Sequence, residues 1–381
     1  MIYFDHAATT AVDDRVINEI FKGMLVYGNP SSSYSIGKEA KKQIKASRNK
    51  IEQLLGLPSD SFIFTSGGSE SDNFAIRSVF ASGKKNKNKI VVSEIEHHAV
   101  LNACRALVEQ GAIIEYAKVH SDGTLDLNDL RQKVDRNTAI VSVMLSNNEI
   151  GTTLNIEAAA AIAHSNGALF HTDAVQGITH YPAFYKPYID MFSVSGHKFG
   201  APKGIGGLFV RPELMHDMIG YELISGGKQE HGLRGGTENV PYIIGLAKAV
   251  ENLIEENDLH NKKVGELHDY AVTKIAQNFQ YATFNGTTSI NDKNPSILNV
   301  CLHKADGSAV VEWMDLHDIC ISSGSACNTG SPHPSHVLMS IGLSERDAFS
   351  SIRLSFSSKN TKAEIDRFIA VLKAFECRHI H

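Results

Sequence analysis

Lys198 and Asp173 are the residues whose types and positions first suggest chemistry. Lys198 ends the motif SGHK (195–198) after an apolar run, and Asp173 closes another such run. A deprotonated lysine can bond to an aldehyde cofactor, and a carboxylate can pair with a pyridinium nitrogen. A surface lysine and a turn-capping aspartate are the simpler interpretation of each residue alone. Together, the two residues favour a site for a pyridoxal cofactor.

A glycine-rich segment offers a place for a phosphate group. Residues 66–71 (SGGSES) lie between a predicted strand and a predicted helix. Glycines there allow close backbone approach to an anion, and a helix N-terminus attracts negative charge. An ordinary turn with a serine cap is an equally good interpretation of these residues alone. Neither GxxxxGK[ST] nor GxGxxG, the phosphate motifs of the nucleotide-binding folds, occurs in the chain.

Two adjacent histidines, His97 and His98, follow the second predicted strand. A histidine at such a strand end can stack on a cofactor ring and transfer protons near neutral pH. In isolation, two helix-capping histidines are the better interpretation of this motif.

Cys327 is the sharpest local signal of reactivity. It lies in a run of small, polar, turn-forming residues, 322–332 (SSGSACNTGSP), that cannot bury it well. We expect this loop to be mobile and exposed, so that a thiolate is available for chemistry. The other cysteines stand in apolar or helical contexts, and a structural role explains each of them better.

Alternating strands and helices must position these residues. Apolar runs typical of buried strands alternate with helix-length segments, such as 73–80 and 99–110, up to about residue 255. The alternation predicts an α/β fold with a mostly parallel central sheet that is covered on both faces. The predicted strands are 61–65, 89–93, 112–117, 138–144, 168–172 and 189–194.

The pattern changes after about residue 255. A polar stretch, 255–258, precedes a predicted long helix at 260–278, and short strands then alternate with helices. We therefore expect a large cofactor-binding domain over 13–256. A smaller α+β domain, formed by 1–12 and 257–381, carries the Cys327 loop. Its short strands are predicted at 280–284, 297–302 and 351–356, and its further helices at 307–317 and 361–375.

The composition excludes several classes of protein. The chain has 381 residues, of which 42% are hydrophobic and 21% charged, as in a globular protein of about two domains. Its net charge is −5 without a lysine- or arginine-rich block, which argues against direct nucleic-acid binding. No apolar run approaches the ~18 residues of a membrane span, and we see no signal peptide. Five cysteines without a CxxC pair indicate reduced thiols in a cytoplasmic protein.

Several ordered motifs make the sequence resemble one known family. They lie at 4–10 (FDHAATT), 28–32 (GNPSS), 65–73, 147–151 (NNEIG), 195–198, 234–239 (RGGTEN), 322–327 and 352–355 (IRLS). In this order, over nearly the whole chain, they resemble the cysteine desulfurases of the NifS/IscS type. These are class-V, fold-type-I pyridoxal-phosphate enzymes. The resemblance implies that fold, a homodimer, and removal of sulfur from L-cysteine to give L-alanine.

By position, the resemblance assigns roles to residues of this chain. Lys198 binds pyridoxal phosphate covalently and then acts as the base on the substrate Cα. Asn148 and Arg353 bind the substrate carboxylate, and Cys327 attacks the substrate sulfur to form a persulfide. The implied cofactor-binding residues are Gly68, Ser69, His97, Asn148, Asp173, Gln176, Ser195, His197, Lys198 and Thr237.

Within that set, the resemblance assigns some residues to the pyridine ring of the cofactor and others to its phosphate group. Asp173 pairs with the pyridine nitrogen, Gln176 pairs with the ring oxygen, and His97 stacks on the ring and exchanges protons. Thr237 reaches the phosphate from the other subunit. The phosphate contacts within one subunit are Gly68, Ser69, Ser195 and His197.

The resemblance leaves the sulfur acceptor open between an iron–sulfur scaffold and a tRNA-thiolation enzyme. We expect no resident metal, only Cys327 as a transient iron–sulfur ligand, and no direct contact with nucleic acid or membrane. Lys228 and His231 stand where Gly and Arg are more usual, which puts loop docking and cross-subunit contacts there in doubt.

Two other functions remain as alternatives. One is a selenocysteine lyase or another class-V pyridoxal-phosphate enzyme, and the other is a catalytically idle scaffold protein of the same fold. The Cys327 loop argues against a plain aminotransferase. The idle scaffold is disfavoured because all the residues with implied chemical roles are present.

Overall fold

The computed structural model describes residues 1–82, 87–287, 289, 292–303, 305–323 and 333–379. Of the loop predicted at 322–332, residues 324–332, which include Cys327, lie outside the described residues. The strands are β1 Ile2–Tyr3, β2 Phe62–Thr65, β3 Lys89–Ser93, β4 Ile113–Ala117, β5 Thr138–Ser142, β6 Leu169–Asp173, β7 Met191–Ser195, β8 Gly206–Val210, β9 Ala282–Asn285, β10 Ile297–Leu302, β11 Ile319–Cys320 and β12 Ser351–Ser355.

A seven-stranded sheet, in the order β2-β8-β7-β6-β5-β3-β4, forms the centre of the large predicted domain. All its neighbouring strands pair in parallel except β8, which runs antiparallel to both β2 and β7. The predicted α/β fold with a mostly parallel sheet is confirmed. Two smaller sheets lie elsewhere in the described chain: β12, β10 and β9 pair antiparallel, and β1 pairs in parallel with β11.

β8 is a strand that the sequence pattern does not predict, because its first residues, Gly206 and Gly207, are typical of a loop. Close packing explains why both positions are occupied by glycine. A Cβ on Gly206 would lie 2.7 Å from the Gly67 Cα, and one on Gly207 would lie 2.0 Å from the Phe62 ring. β8 can therefore lie directly against β2 and the start of the glycine-rich segment.

Helices pack against the seven-stranded sheet and against the smaller sheets. None of those in the described ranges combines the length and the apolar character needed to cross a membrane. They are α1 Asp14–Met24, α2 Ser35–Leu55, α3 Gly68–Ala81, α4 His98–Arg105, α5 Leu127–Lys133, α6 Ile156–Ser165, α7 Pro212–Met218, α8 Val240–Asn278, α9 Gly307–Asp315, α10 His336–Ser340, α11 Glu345–Phe349 and α12 Lys362–His379.

The long helix α8 begins at Val240, about twenty residues before the start predicted at 260, so that boundary was wrong. Its N-terminus is well specified: the Asn239 side chain accepts from the Tyr242 N–H, and Pro241 occupies the first turn. The polar stretch 255–258 lies within α8 and does not precede the helix. It lies on the exposed and half-buried surface of the helix, where charged residues are readily solvated.

The buried apolar residues form separate cores on either side of this division. One core joins Phe4, the second half of α8, β10, β12 and α12. Further cores pack the faces of the seven-stranded sheet. This separation supports the domain boundaries predicted at 12/13 and 256/257, which stay a prediction. α10 is an exception, because its Val337 and Leu338 pack with the large core.

A buried ion pair fastens β2 to the segment after α7. Both Arg48 Nη atoms donate to the Glu230 carboxylate at 2.8 Å, and the Phe64 N–H donates to the same carboxylate at 2.8 Å. The Arg48 and Glu230 side chains are only 8% and 2% exposed. Removing one partner would leave a buried charge without compensation.

We therefore expect Glu230→Ala to lower the free energy of unfolding by about 3–5 kcal/mol in urea denaturation. A matched control is Glu213→Ala, which removes one of the two carboxylates paired with Arg211, at a site where the glutamate side chain is 74% exposed. The control substitution should lower the free energy of unfolding by about 1 kcal/mol or less. Equal losses in the two variants would contradict the importance of the buried pair.

Candidate active site

A cavity of about 300 Å³ opens at the carboxyl ends of β6 and β7. In open α/β sheets, ligands bind at this edge. The cavity brings together nearly all the site residues that the sequence predicts. The lining includes Gly68, Ser69, His97, Asn148, Asp173, Gln176, Ser195, His197, Lys198 and Arg353.

Lys198 ends a single 3₁₀ turn, Gly196–Lys198, that follows β7 directly. Its Nζ donates to the carbonyl oxygens of Ala7 and Ala8, at 2.5 and 2.9 Å. These contacts tie the N-terminal segment to the cavity wall. They also orient the amine, although carbonyl oxygens do not neutralise its charge. An aldehyde that bonds to Nζ has to displace these two hydrogen bonds.

Asp173 ends β6 and is 4% exposed. Its Oδ1 accepts from the Val175 N–H at 2.8 Å. Burial raises the pKa of Asp173 to about 6, although the Val175 hydrogen bond and the Lys198 charge oppose the shift. A buried carboxyl of this kind gains from a cationic partner, because the partner favours the ionised form.

His97 is both a helix cap and a wall of the cavity, so the two interpretations of the motif are compatible. Its Nδ1 accepts from the Ala99 N–H at 3.1 Å and caps α4. The ring proton of neutral His97 is therefore on Nε2. Burial lowers its pKa to about 4, with smaller effects from the charges of Lys198, His98 and His336. At neutral pH the ring is uncharged.

The start of α3 has the features of an anion site. Gly67, the N-cap residue of the helix, has φ of 152° and provides no side-chain cap. A Cβ on Gly68 would lie 2.6 Å from a Val175 methyl carbon, so this position accepts only glycine without a shift of its neighbour. Across the cavity, the His197 Nδ1 lies 3.1 Å from the Thr9 hydroxyl. The unsatisfied N–H groups of a helix start attract a phosphate.

Arg353 lies on β12 and is 1% exposed, yet it lines the cavity. Its Nη2 donates to Asp5 Oδ1 at 2.7 Å, and its Nη1 donates to the Asn148 carbonyl at 3.0 Å. Its Nε has no hydrogen-bond partner among the described residues. The guanidinium is thus held in place with donor capacity left over, as a carboxylate-binding arginine requires.

These residues fit pyridoxal phosphate. Buried polar atoms usually have partners, but the Gln176 Oε1 and the Arg353 Nε have none among the described residues. Both atoms belong to residues that line this cavity. An anion-attracting helix start, a lysine and a buried carboxyl complete a donor set suited to a phosphorylated pyridine aldehyde. The cavity volume is at the lower end of the roughly 300–1,000 Å³ of ligand pockets.

Two buried acids beside the cavity were not predicted. Asp72 lines the cavity and is 1% exposed. Its Oδ1 lies 3.7 Å from the His171 Nε2. Burial is the larger cause and the Asp173 charge the smaller cause of a raised pKa at Asp72. Burial raises the pKa of Glu96 to about 8, against hydrogen bonds from Ser93 and the Met144 N–H. One sequence signal existed for Asp72, because it lies one helical turn after Gly68 and so faces the same side.

Thr237 does not line the cavity of its own chain and is exposed. The segment that carries it is held close to the glycine-rich loop, since Arg234 Nε donates to Glu70 Oε1 at 2.9 Å. Lys228 and His231, which depart from the family pattern, line a different cleft beside Arg48. Those departures therefore leave the cavity walls unchanged.

Cys327 lies outside the described residues, but both flanks of its segment contact the site. The Ser322 N–H donates to the Arg353 carbonyl at 3.1 Å. On the other side, the Ser335 hydroxyl donates to Glu149 at 2.5 Å, and the His336 Nε2 lies 3.0 Å from the Glu96 carbonyl. The described residues on both sides of 324–332 therefore contact the cavity wall or residues next to it.

Comparison with known proteins agrees with this geometry. Residues 2–368 match the family described as aminotransferase class-V. A curated protein of Nostoc sp. named cysteine desulfurase is 40% identical over 98% of this chain and 92% of its own length. A solved NifS-like protein superposes with a TM-score of 0.89 at 33% identity, over 99% of both chains.

A further solved structure, described as SspA in complex with cysteine, has a TM-score of 0.81 at 32% identity and covers 95% of this chain and 100% of its own. Fold and sequence thus agree with these relatives over nearly the whole chain. The chain belongs to the class-V aminotransferase family and, within it, to the cysteine desulfurases of the NifS/IscS type, whose members depend on pyridoxal phosphate.

Proposed function

We propose that this cysteine desulfurase binds pyridoxal phosphate on Lys198, takes sulfur from L-cysteine, releases L-alanine and holds the sulfur as a persulfide on Cys327. One observation carries the proposal. Lys198 and Asp173, at the ends of adjacent parallel strands, face the same cavity as the buried guanidinium of Arg353. That cavity can therefore hold a pyridine aldehyde and an amino-acid carboxylate side by side.

The residues that hold the cofactor follow from their positions. Lys198 provides the amine for the covalent link, Asp173 the carboxylate for the ring nitrogen, and Gln176 the amide for the ring oxygen. The start of α3, with Ser195 and His197 opposite, holds the phosphate. When bound, the cofactor supplies an electron sink for the substrate.

Substrate binding rests on Arg353 and Asn148. The Arg353 Nε is a donor without a partner among the described residues, and a carboxylate is the group that suits it. The solved relative described as a complex with cysteine supports cysteine as the amino acid. Lys198 then removes the Cα proton, and the neutral His97, with its proton on Nε2, exchanges protons at the substrate.

The sulfur step is redox-neutral. The Cys327 thiolate attacks the substrate sulfur, so an S–S bond forms as the substrate Cβ–S bond breaks. The electron pair of the broken bond stays on Cβ, which takes up a proton to become the methyl group of alanine. The products are L-alanine and a Cys327 persulfide.

The chain length allows Cys327 to reach the cavity. Ser322 is hydrogen-bonded to the backbone of Arg353. Five residues further along, an extended chain spans on the order of 15 Å at ~3.3 Å per residue. The same reach would let the persulfide meet an external acceptor, for which an iron–sulfur scaffold and a tRNA-thiolation enzyme are both candidates. We place this activity in the cytoplasm, where thiols stay reduced.

The site is proposed to be completed in a homodimer. Thr237 is exposed and does not line its own cavity, although its segment is tied to the glycine-rich loop through Arg234 and Glu70. A hydroxyl placed at the edge of the phosphate site in this way is suited to reach the cofactor of the partner subunit.

Cys327→Ser tests the proposed function most simply. The variant should still bind pyridoxal phosphate and change its visible spectrum when cysteine is added, because these steps need no protein thiol. Release of alanine and sulfide should fall to background, since a serine oxygen cannot form a persulfide. Cys320→Ser, at a half-buried cysteine, is the control and should keep its turnover. Full activity in Cys327→Ser would refute the proposed role.

Arg353→Lys tests substrate binding. Loss of the two-pronged guanidinium should raise the KM for cysteine roughly 10-fold or more, since hydrogen bonds to charged groups contribute about 1.5–3 kcal/mol. The absorbance of the bound cofactor should be unchanged. Arg367→Lys, at an exposed position on α12, should leave KM unaltered. An unchanged KM in Arg353→Lys would show that the carboxylate binds elsewhere.

Mixed dimers test the shared site. Lys198→Ala and Thr237→Ala chains should each be inactive or impaired as homodimers. When co-assembled, they should regain part of the activity, because one of the two sites then carries neither change. A fully active monomer, or no recovery in mixed dimers, would contradict the sharing of Thr237.

A further inference from the structure

Three side chains with metal-binding atoms converge at the end of β10, away from the catalytic cavity. The Cys301 Sγ, His303 Nδ1 and Asp347 Oδ1 all lie within 4.8 Å of one another. The Sγ is 3.5 Å from the Nδ1, and the Nδ1 is 2.7 Å from the Oδ1. None of the three residues lines the catalytic cavity.

Each of these groups is held in place by neighbouring residues. Asp347 lies in α11 and forms a reciprocal cap with Ser344, whose hydroxyl donates to Oδ2 at 2.7 Å and accepts from the Asp347 N–H at 3.1 Å. Oδ1 is thereby left for His303. The Thr283 hydroxyl lies 2.9 Å from the His303 Nε2 and orients the ring. Metal-binding histidines typically have such a partner on their second nitrogen.

The short contact between the His303 Nδ1 and the Asp347 Oδ1 requires a proton or a metal cation. A ring nitrogen and a carboxylate oxygen 2.7 Å apart cannot face each other with lone pairs alone. If the ring proton is on Nε2, bonded to Thr283, the lone pairs of Nδ1 and Oδ1 need a cation that both atoms bind, and this contact has to widen to admit it. Otherwise a proton lies between the two atoms, and the Thr283 hydroxyl becomes the donor to Nε2.

We propose that Cys301, His303 and Asp347 bind a divalent transition metal of borderline softness, such as Zn²⁺. Mixed sulfur, nitrogen and oxygen ligands favour this class over Mg²⁺ or Ca²⁺, which take oxygen ligands. Zinc–ligand bonds of about 2.0–2.3 Å place tetrahedral ligands roughly 3.3–3.7 Å apart. The Sγ–Nδ1 distance already fits, and the Nδ1–Oδ1 distance has to widen by less than about 1 Å.

The surroundings leave room for a further ligand. The His303 and Asp347 side chains are 38% and 31% exposed, and His303 borders an open cleft that is also lined by Asp306 and Arg346. A water or an external ligand can complete the coordination from this side. The Cys301 thiol donates to the backbone carbonyl of Asp347 at 3.3 Å. Burial raises the pKa of this thiol to about 11. Metal binding has to displace that proton.

The site is separate from the proposed catalysis. Cys301 lies opposite Ser351 in the β10–β12 pair, whereas Arg353 lies opposite Asn299. His303→Asn should therefore leave desulfurase turnover unchanged. That expectation separates a failure of the metal site from a failure of the proposed function.

Metal titration of the cofactor-loaded protein tests the inference. After chelator treatment, the wild type should bind one more equivalent of Zn²⁺ per chain than His303→Asn. Cys301→Ala and Asp347→Asn should lose the same equivalent. His317→Asn, a half-buried histidine on the same predicted domain, should keep it. With Co²⁺, a thiolate-to-metal absorption band should appear in the wild type and in Cys320→Ser, but not in Cys301→Ala.

Thermal unfolding identifies the variants that fold like the wild type, and only these enter the comparison. Because His303 is half exposed, its variant should be among them. Equal zinc stoichiometry in the wild type, His303→Asn and Cys301→Ala would overturn the proposal and leave a proton between His303 and Asp347. A Co²⁺ thiolate band that persists in Cys301→Ala would assign the metal to another cysteine and would overturn it as well.

Discussion

Parallel pairing of β6 with β7 is the constraint on which the rest of the site depends. The register pairs Asp173 with Ser193, so both strands end at the same edge of the sheet. Lys198 follows β7 by a single turn, and its side chain therefore reaches the cavity into which Asp173 faces. The glycine-rich start of α3 meets the same edge because β8 can lie directly against Gly67. The other groups are arranged around this pair.

The electrostatics of that edge favour a cationic ligand. Asp72, Asp173 and Glu96 are all buried, and burial raises the pKa of each carboxyl. Such a cluster resists holding several negative charges at once. The Lys198 ammonium offsets part of the increase in the pKa of Asp173, and a pyridinium ring would offset more of that increase. The buried carboxyl groups thus lower the stability of the protein when no ligand is bound. They would contribute to binding a cofactor with a cationic ring.

Much of this arrangement was predictable, because strand ends and residue types are local properties of a sequence. The strand that ends at Asp173 and the strand that precedes Lys198 were predicted within a residue or two. The residues predicted to form the site, apart from Thr237 and Cys327, line one cavity. The start of α8 and the strand β8 were missed, since glycines and a polar stretch are typical of loops. Asp72 and Glu96 were missed for a different reason. Burial creates their altered pKa values, and burial depends on contacts distant in the sequence.

The most direct test of the account is to locate the covalent link to the cofactor. Borohydride reduction of the purified protein makes a lysine–cofactor bond permanent, and mass spectrometry of its peptides then identifies the lysine. The account predicts a phosphopyridoxyl group on the peptide that contains Lys198 and on no other. A protein that takes up no pyridoxal phosphate, or a link on a different lysine, would contradict the central claim.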